Sequence, residues 1–349
     1  RGVHTLSQEA TDLYEQARVV LQKHFNAKYA YEMLFTPGTT FGINVIASGF
    51  SNLLKTGDEI IVSALEHHSN IVPWQMLCEK TGAELKVIPM NEEGSLIMSE
   101  YDNLLSEKTR LVFCNHISNA LGTINPVKEI IEKAHHYGAA VLIDGAQSTP
   151  HMKVDFQKLD VDFYVTSAHK ICGPTGIGLL YGKKEWLEKL PPYQGGGEMI
   201  ETVSFEKTTY AGLPHKFEAG TPNICGGIAF GVAIDYMNSI GFDAINKYEQ
   251  ELLKYGTQEL LKISGVKIYG TSNKTAVISF NVAGIHPYDI GSILDKLGIA
   301  VRTGHHCAQP IMEFYKIPGT VRASFAFYNT KEEIDVFIKG LQKAILMLS

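Results

Sequence analysis

Three short stretches carry side chains that could do chemistry together. Lys170 stands in TSAHKICGPTGIG, where an apolar run ends in a Gly-rich turn. A lysine there could be a Schiff-base nucleophile, although free lysine ionises near ~10.4 and needs a site that lowers it. Asp144 ends the apolar run VLID, and a carboxylate at a strand's carboxyl end can hold a positive group. Gln147 follows three residues later as a hydrogen-bond donor. The stretch TPGTT at 36–40 lies between an apolar run and a helical pattern. Its Thr39 and Thr40 would open a helix N-terminus, a natural phosphate site. Lysine, carboxylate and phosphate cup are the three needs of pyridoxal phosphate. The lysine holds the aldehyde as an imine, and the carboxylate keeps the pyridine nitrogen protonated so that the ring is an electron sink.

A second cluster, RTGHHCAQP at 302–310, carries sulfur chemistry. The thiolate is the nucleophilic form of cysteine, free thiols ionise near ~8.5, and Arg302, His305 and His306 are neighbours of the kind that favour it. The polar texture around Cys307 argues against a buried structural cysteine. A metal site is a rival reading, since EHHSN at 66–70 and GHHC at 304–307 supply four His and one Cys. Adjacent histidines cannot both point one way on a strand, which weakens it. His135–His136 reads as a feature of a helix C-terminus. Arg322, on an alternating run, is a surface arginine if isolated. Inside a pocket it could grip a carboxylate bidentately.

These residues need a scaffold, and the chain supplies one. Short apolar runs at 31–36, 59–63, 84–88, 110–115, 139–144, 163–167 and 178–181 alternate with helical patterns at 6–23, 39–54, 71–81 and 127–137. That alternation predicts an α/β fold with a mainly parallel, doubly wound sheet. AAVLID and TRLVFCN are apolar throughout, as strands buried on both faces are. Residues 195–222 read as an irregular hairpin plus loop. A long helical stretch covers 226–263, broken near Gly241. The remainder has a smaller α+β texture: strands at 276–282, 299–302 and 321–327, and helices at 288–297 and 332–346. We expect a large domain over 1–235 and a small one over 236–349 that carries the Cys307 loop.

The 349 residues are 45% hydrophobic and 19% charged, which suits large buried cores. Net charge is −6 with no basic stripe, which disfavours a nucleic-acid partner. No apolar run is long enough to span a bilayer, so no membrane partner is expected. Five cysteines without a C-x-x-C disfavour a disulfide scaffold or a zinc ribbon and suggest a reduced, cytoplasmic enzyme. The chain begins at Arg1 with no signal-like stretch, so an upstream segment is expected.

EHHSNIVPWQ, SNALGT, DGAQS, TSAHK, FEAGTPN, RTGHHCAQP and VRASFAFYNT occur in this order. With them the chain resembles the group II cysteine desulfurases, the SufS and selenocysteine-lyase-like branch of the class V aminotransferase, fold type I family. The resemblance spans essentially the whole chain. It implies pyridoxal phosphate on Lys170, with Asp144 on the pyridinium and Gln147 on the ring hydroxyl. It implies that His67 stacks on the ring and assists proton transfers. Thr39, Thr40, Ser167 and His169 match phosphate positions, and Thr221 a residue reaching the neighbouring subunit's phosphate in a homodimer. Asn119, Arg302 and Arg322 fall on the substrate side, Arg322 on the carboxylate, and Cys307 takes the sulfur. Metal ligands are not implied. The implied reaction converts L-cysteine to L-alanine for iron–sulfur cluster assembly, with L-selenocysteine as an alternative substrate, and passes sulfur to a SufE- or SufU-like acceptor. An aminotransferase or a dedicated selenocysteine lyase is the nearest alternative. Phe41 departs from the acidic residue some relatives carry.

Overall fold

Alternating side chains decide how the main sheet is buried. In the computed structural model, which describes residues 2–348, its strands are β1 (Met33–Thr36), β2 (Glu59–Ser63), β3 (Glu84–Ile88), β4 (Thr109–Asn115), β5 (Ala140–Asp144), β6 (Phe163–Ser167) and β7 (Gly178–Gly182). Val141 and Ile143 enter one core, while Ala140 and Leu142 enter another on the opposite face. With apolar matter on both sides, every position must be apolar, which is why the run AVLI has no polar break.

The order is β1-β7-β6-β5-β4-β2-β3. The five strands from β6 to β3 are mutually parallel, and β7 runs antiparallel to both β6 and β1. The helices Thr5–His24, Val127–His136 and Ile224–Ile240 close one face through Leu21, Ile130 and Phe230. The helices Thr39–Phe50 and Val72–Thr81 close the other through Ile46 and Trp74. The helix Thr5–His24 lies along Ile224–Ile240. The buried Arg18 on it forms a bidentate pair with Glu218, at 2.8 and 2.9 Å.

The irregular stretch contains a hairpin of β8 (Ile200–Val203) and β9 (Thr208–Tyr210). A second sheet comes after it, antiparallel throughout, from β10 (Val266–Tyr269), β11 (Val277–Val282), β12 (Arg302–Gly304) and β13 (Thr320–Ser324), in the order β10-β11-β13-β12. The helices Pro287–Lys296 and Lys331–Leu348 cover it through Ile290, Leu294, Phe337 and Leu341. The helical stretch is broken at Gly241, as expected, into Ile224–Ile240 and Phe242–Leu261, which meet at 74°. The second begins in the first core with Phe242 and Ile245 and ends in the third with Leu252 and Leu260. Among the described residues no single helix is long and apolar enough to cross a membrane.

Two differences from the sequence reading bear on the site. The sequence suggested a strand over 299–302, but the strand pairing begins at Arg302, because only Arg302–Gly304 face Thr320–Arg322 in register. The short helix Gln309–Tyr315, with Pro310 in its first turn, gave too little periodicity to be read.

Candidate active site

The parallel strands deliver the polar side chains to one end of the main sheet. Asn115 and Asp144 terminate β4 and β5, and Ser167 terminates β6 and leads into the turn carrying His169 and Lys170. Thr36, Gly178 and Ser167 stand side by side in register across β1, β7 and β6. A Cβ on Gly178 would fall 2.5 Å from the Thr166 carbonyl and 2.7 Å from the Gly38 Cα. Only glycine lets the TPGTT loop approach the end of β6 so closely.

A cavity of about 260 Å3 opens there. Thr39, Thr40, His67, Asn119, Asp144, Gln147, Ser167, His169, Lys170, Arg302 and Cys307 all border it. Two sequence motifs that are 137 residues apart at Lys170 and Cys307 therefore face one space. Two expected residues lie elsewhere. Thr221 is exposed and borders a separate cavity of about 230 Å3, with Phe41 and Asn223. Arg322 stands behind Asn119, whose carbonyl accepts from Arg322 Nη1 at 2.6 Å.

The helix Thr39–Phe50 starts at the cavity. Its first amide, on Thr39, donates to Ser167 Oγ at 2.9 Å, and the Thr39 hydroxyl lies 2.8 Å from the same oxygen. The next first-turn amides have no acceptor within the helix and carry the positive end of its dipole.

Burial governs the charges. It raises the Asp144 carboxyl, and Lys170 nearby works against that. It lowers the Lys170 amine, with Asp144 opposing and Arg322 and Arg302 reinforcing. Burial, Lys170, His68 and Arg302 depress His67 to about 4, so its imidazole is neutral at pH 7. His67 Nδ1 accepts from the Ser69 amide at 3.1 Å, which leaves the ring proton on Nε2. Burial, then Arg302, lowers Arg322 to about 10.

Cys307 sits in a tight turn. His306 and Cys307 both have φ of 55°. Arg302 Nη2 lies 3.4 Å from Cys307 Sγ, a positive charge beside the sulfur. Asn119 Nδ2 donates to the His306 carbonyl at 2.6 Å, and the buried His306 ring is 2.8 Å from the Thr320 hydroxyl. Gly319 packs against Gly304 beneath the turn, where a Cβ would meet Gly304 Cα at 2.8 Å.

The sequence reading missed the support under EHHSN. Glu66 is fully buried and accepts from Asn70 Nδ2 at 2.6 Å, from the Asn115 amide at 2.7 Å and from the Ser63 hydroxyl. Burial raises it to about 8 despite those donors. Asn70 in turn accepts from Trp74 Nε1 at 2.9 Å. The signal was a glutamate placed at the end of a mainly apolar run, IIVSALE. The EHHSN and GHHC stretches meet at the cavity, but among the described residues no group of three or more His, Cys, Asp or Glu could hold a metal ion. His135 is instead 2.7 Å from Asp162 and does not border the cavity.

The cavity fits pyridoxal phosphate on its own features. Among the described residues Asp144 is a buried carboxylate with one backbone donor, the Ala146 amide at 2.9 Å, and no ion pair. It can therefore hold a ring cation. A helix N-terminus flanked by threonines suits the phosphate. Asn119 Oδ1, on a residue that borders the cavity, and Arg322 Nε behind it are buried polar atoms without a partner among the described residues.

The aminotransferase class-V profile matches residues 1–337. A cysteine desulfurase of Enterobacter sp. strain 638 is 52% identical over 345 residues, covering 98% of this chain and 85% of the relative. The cysteine desulfurase of Thermococcus onnurineus NA1 superposes with a TM-score of 0.96 at 41% identity, over 100% of this chain and 87% of that one. The cysteine desulfurase CsdA of Escherichia coli gives 0.95 at 36%, over 100% and 88%. With its sheet, its lysine and its cysteine in the places described, the chain belongs to the class-V aminotransferase family and stands among the cysteine desulfurases.

Proposed function

We propose that the chain is a pyridoxal phosphate-dependent cysteine desulfurase that converts L-cysteine to L-alanine and leaves a persulfide on Cys307. One observation carries the reading: Lys170, Asp144 and Cys307 border a single cavity although they come from separate motifs. An aminotransferase would use the first two and have no need of the third.

Pyridoxal phosphate, when bound, supplies an imine link and an electron sink. The residues do the rest. Ser167, Thr39 and Thr40 would hold the phosphate at the helix end, together with His169. Asp144 would keep the ring nitrogen protonated, Gln147 would donate to the ring hydroxyl, and His67 would offer the ring a neutral imidazole whose Nε2–H can donate. Lys170, buried and lowered in proton affinity, takes the Cα proton and returns protons later. Asn119, Arg302 and Arg322 form the substrate's carboxylate side. The Cys307 thiolate attacks the substrate sulfur. An S–S bond forms, the C–S bond breaks, and its electron pair stays on carbon and is protonated. The two sulfurs are oxidised and the carbon reduced, so no external oxidant is needed.

Several finer points belong to the same reading. Thr221, outside its own chain's cavity, reaches the phosphate of a second copy, which makes the active form a homodimer. The chain divides near residue 235 into the two lobes. The exposed rim of the Cys307 loop, with Arg302 and His305, suits a SufE- or SufU-like acceptor protein in iron–sulfur cluster assembly. L-selenocysteine fits the same chemistry, since selenium leaves more readily than sulfur. Unpaired thiols at all five cysteines suit a reducing cytoplasm. The test is alanine formed from L-cysteine with a thiol acceptor, for wild type and Cys307→Ala. Alanine from the wild type alone supports the reading; equal rates sink it.

A further inference from the structure

We infer that His68 is a positioning residue for the Cys307 thiol, because it supplies from the large sheet's side the helix cap that the chain after Cys307 lacks. The inference rests on reading Cys307 as the reactive thiol.

The helix Gln309–Tyr315 starts two residues after Cys307. Its N-cap residue is Ala308, whose methyl cannot accept from a helix amide, and no side-chain cap is present locally. Pro310 brings no N–H, so the Gln309 amide is the donor that needs a partner at this end. His68 provides it across 241 residues of sequence: the Gln309 amide donates to His68 Nε2 at 3.1 Å. The backbone of the same residue takes the other side of the turn, where the His68 amide donates to the Cys307 carbonyl at 2.7 Å. Together these bonds close a ring through His68, Cys307, Ala308 and Gln309.

That ring holds a strained element. His306 and Cys307 are consecutive left-handed residues, and neither is glycine. Each is a backbone conformation that L side chains rarely adopt, and it persists only where its surroundings over-determine it. Asn119 fixes the His306 carbonyl, and His68 fixes the Cys307 carbonyl and the Gln309 amide. The half-buried His68 is also the chain neighbour of His67, which borders the cavity. One rigid turn thus ties the cavity wall to the sulfur. It also explains why two histidines stand together. His67 accepts at Nδ1 and keeps its proton on Nε2, while His68 accepts at Nε2 and keeps its proton on Nδ1. Each ring does a task that the other's tautomer cannot do.

The experiment compares His68→Leu and His68→Gln in the holoenzyme. Leu removes the acceptor, whereas Gln keeps one within reach. The readout is the rate of Cys307 alkylation by iodoacetamide, resolved by peptide mass spectrometry because Cys172 and Cys225 are exposed. We expect His68→Leu to raise that rate about tenfold and to lower kcat about tenfold at unchanged KM, as a misplaced group does. His68→Gln should stay near wild type in both. Equal behaviour of the two variants, or a wild-type alkylation rate in His68→Leu, overturns the inference. If His68→Leu does not fold, hydrogen exchange at the Gln309 amide of the wild type decides. Protection supports the cap, and exchange at the rate of an unstructured amide refutes it. Alkylation and exchange need no turnover. An enzyme that makes no alanine from L-cysteine, yet shows the alkylation contrast, would refute the desulfurase reading and leave the positioning role standing.

Discussion

At the amino end of β6, Asp162 meets His135 at 2.7 Å, Lys183 at 3.0 Å and the Val141 amide at 2.8 Å. At the carboxyl end of β5, its neighbour in the sheet, Asp144 meets one backbone amide and, among the described residues, no fixed cation. Both carboxylates are buried. Burial pushes each upward; at Asp162 the His135 and Lys183 partners overcome it and hold the carboxyl low, while at Asp144 Lys170 does not. Glu59 repeats the first pattern, with Lys86 at 2.7 Å and Ser106 at 2.6 Å, and Asp58 pairs with Arg110 at 3.0 Å. One end of the sheet neutralises its charges within the protein. The other keeps them for a ligand. A buried charge without a partner costs stability, so the site end gives up stability that the opposite end supplies.

This contrast can be broken from either side. The largest effect belongs to the site: Lys170→Ala should abolish turnover by roughly 10^3-fold or more, and Cys307→Ala should do the same for cysteine while leaving the cofactor bound. Alanine production assays with absorbance of the bound cofactor check both, and retention of borohydride-reducible cofactor in Lys170→Ala would contradict the role given to it. Next, Asp162→Asn should destabilise by about 2 kcal/mol, discounted because His135 and Lys183 are partly exposed, with activity per folded molecule retained. Chemical denaturation midpoints read this, and an unchanged midpoint would erase the contrast.

The reverse should hold across the sheet. Asp144→Asn should stabilise the cofactor-free chain by about 1 kcal/mol, while cutting alanine formation severely. A destabilised Asp144→Asn would show that the site carboxylate is paired after all. The smallest effect is in pH. His135 is raised chiefly by its bond to Asp162, so its contribution is complete below ~6.5 and fades as pH climbs through the higher folded value. Asp162, held low, contributes above ~3.9 and loses that only as pH falls through its folded value. The pair is therefore strongest between these limits. The melting-temperature gap between wild type and His135→Ala should be wider at pH 5.5 than at pH 8.5, by the equivalent of a few tenths of a kcal/mol. A constant gap would show that the pair does not titrate.

The same asymmetry governs what was legible in the sequence. Residues such as Lys170, Asp144 and Cys307 announced themselves because reactive types stood at abrupt changes of texture, a strand's end or a polar loop. The strands β2 and β6 were legible because mainly apolar runs of that length between helical patterns have few other uses. Support was harder to see. His68, Glu66 and Asn70 act through bonds to residues distant in sequence, and no local spacing encodes a cap delivered over 241 residues. The strand β12 was misplaced because composition marks where apolar residues are, whereas pairing depends on what the neighbouring strand offers.

The helix Thr5–His24 has one further consequence, and it concerns time. Its buried arginine waits for Glu218, 200 residues later in the chain. At a synthesis rate of ~5–20 residues per second, that partner leaves the ribosome roughly 10–40 s after Arg18 does. Throughout that interval Leu21 and its neighbours have no lid to pack under. That helix is thus seated late, and the nascent chain carries an uncovered apolar stripe throughout the interval.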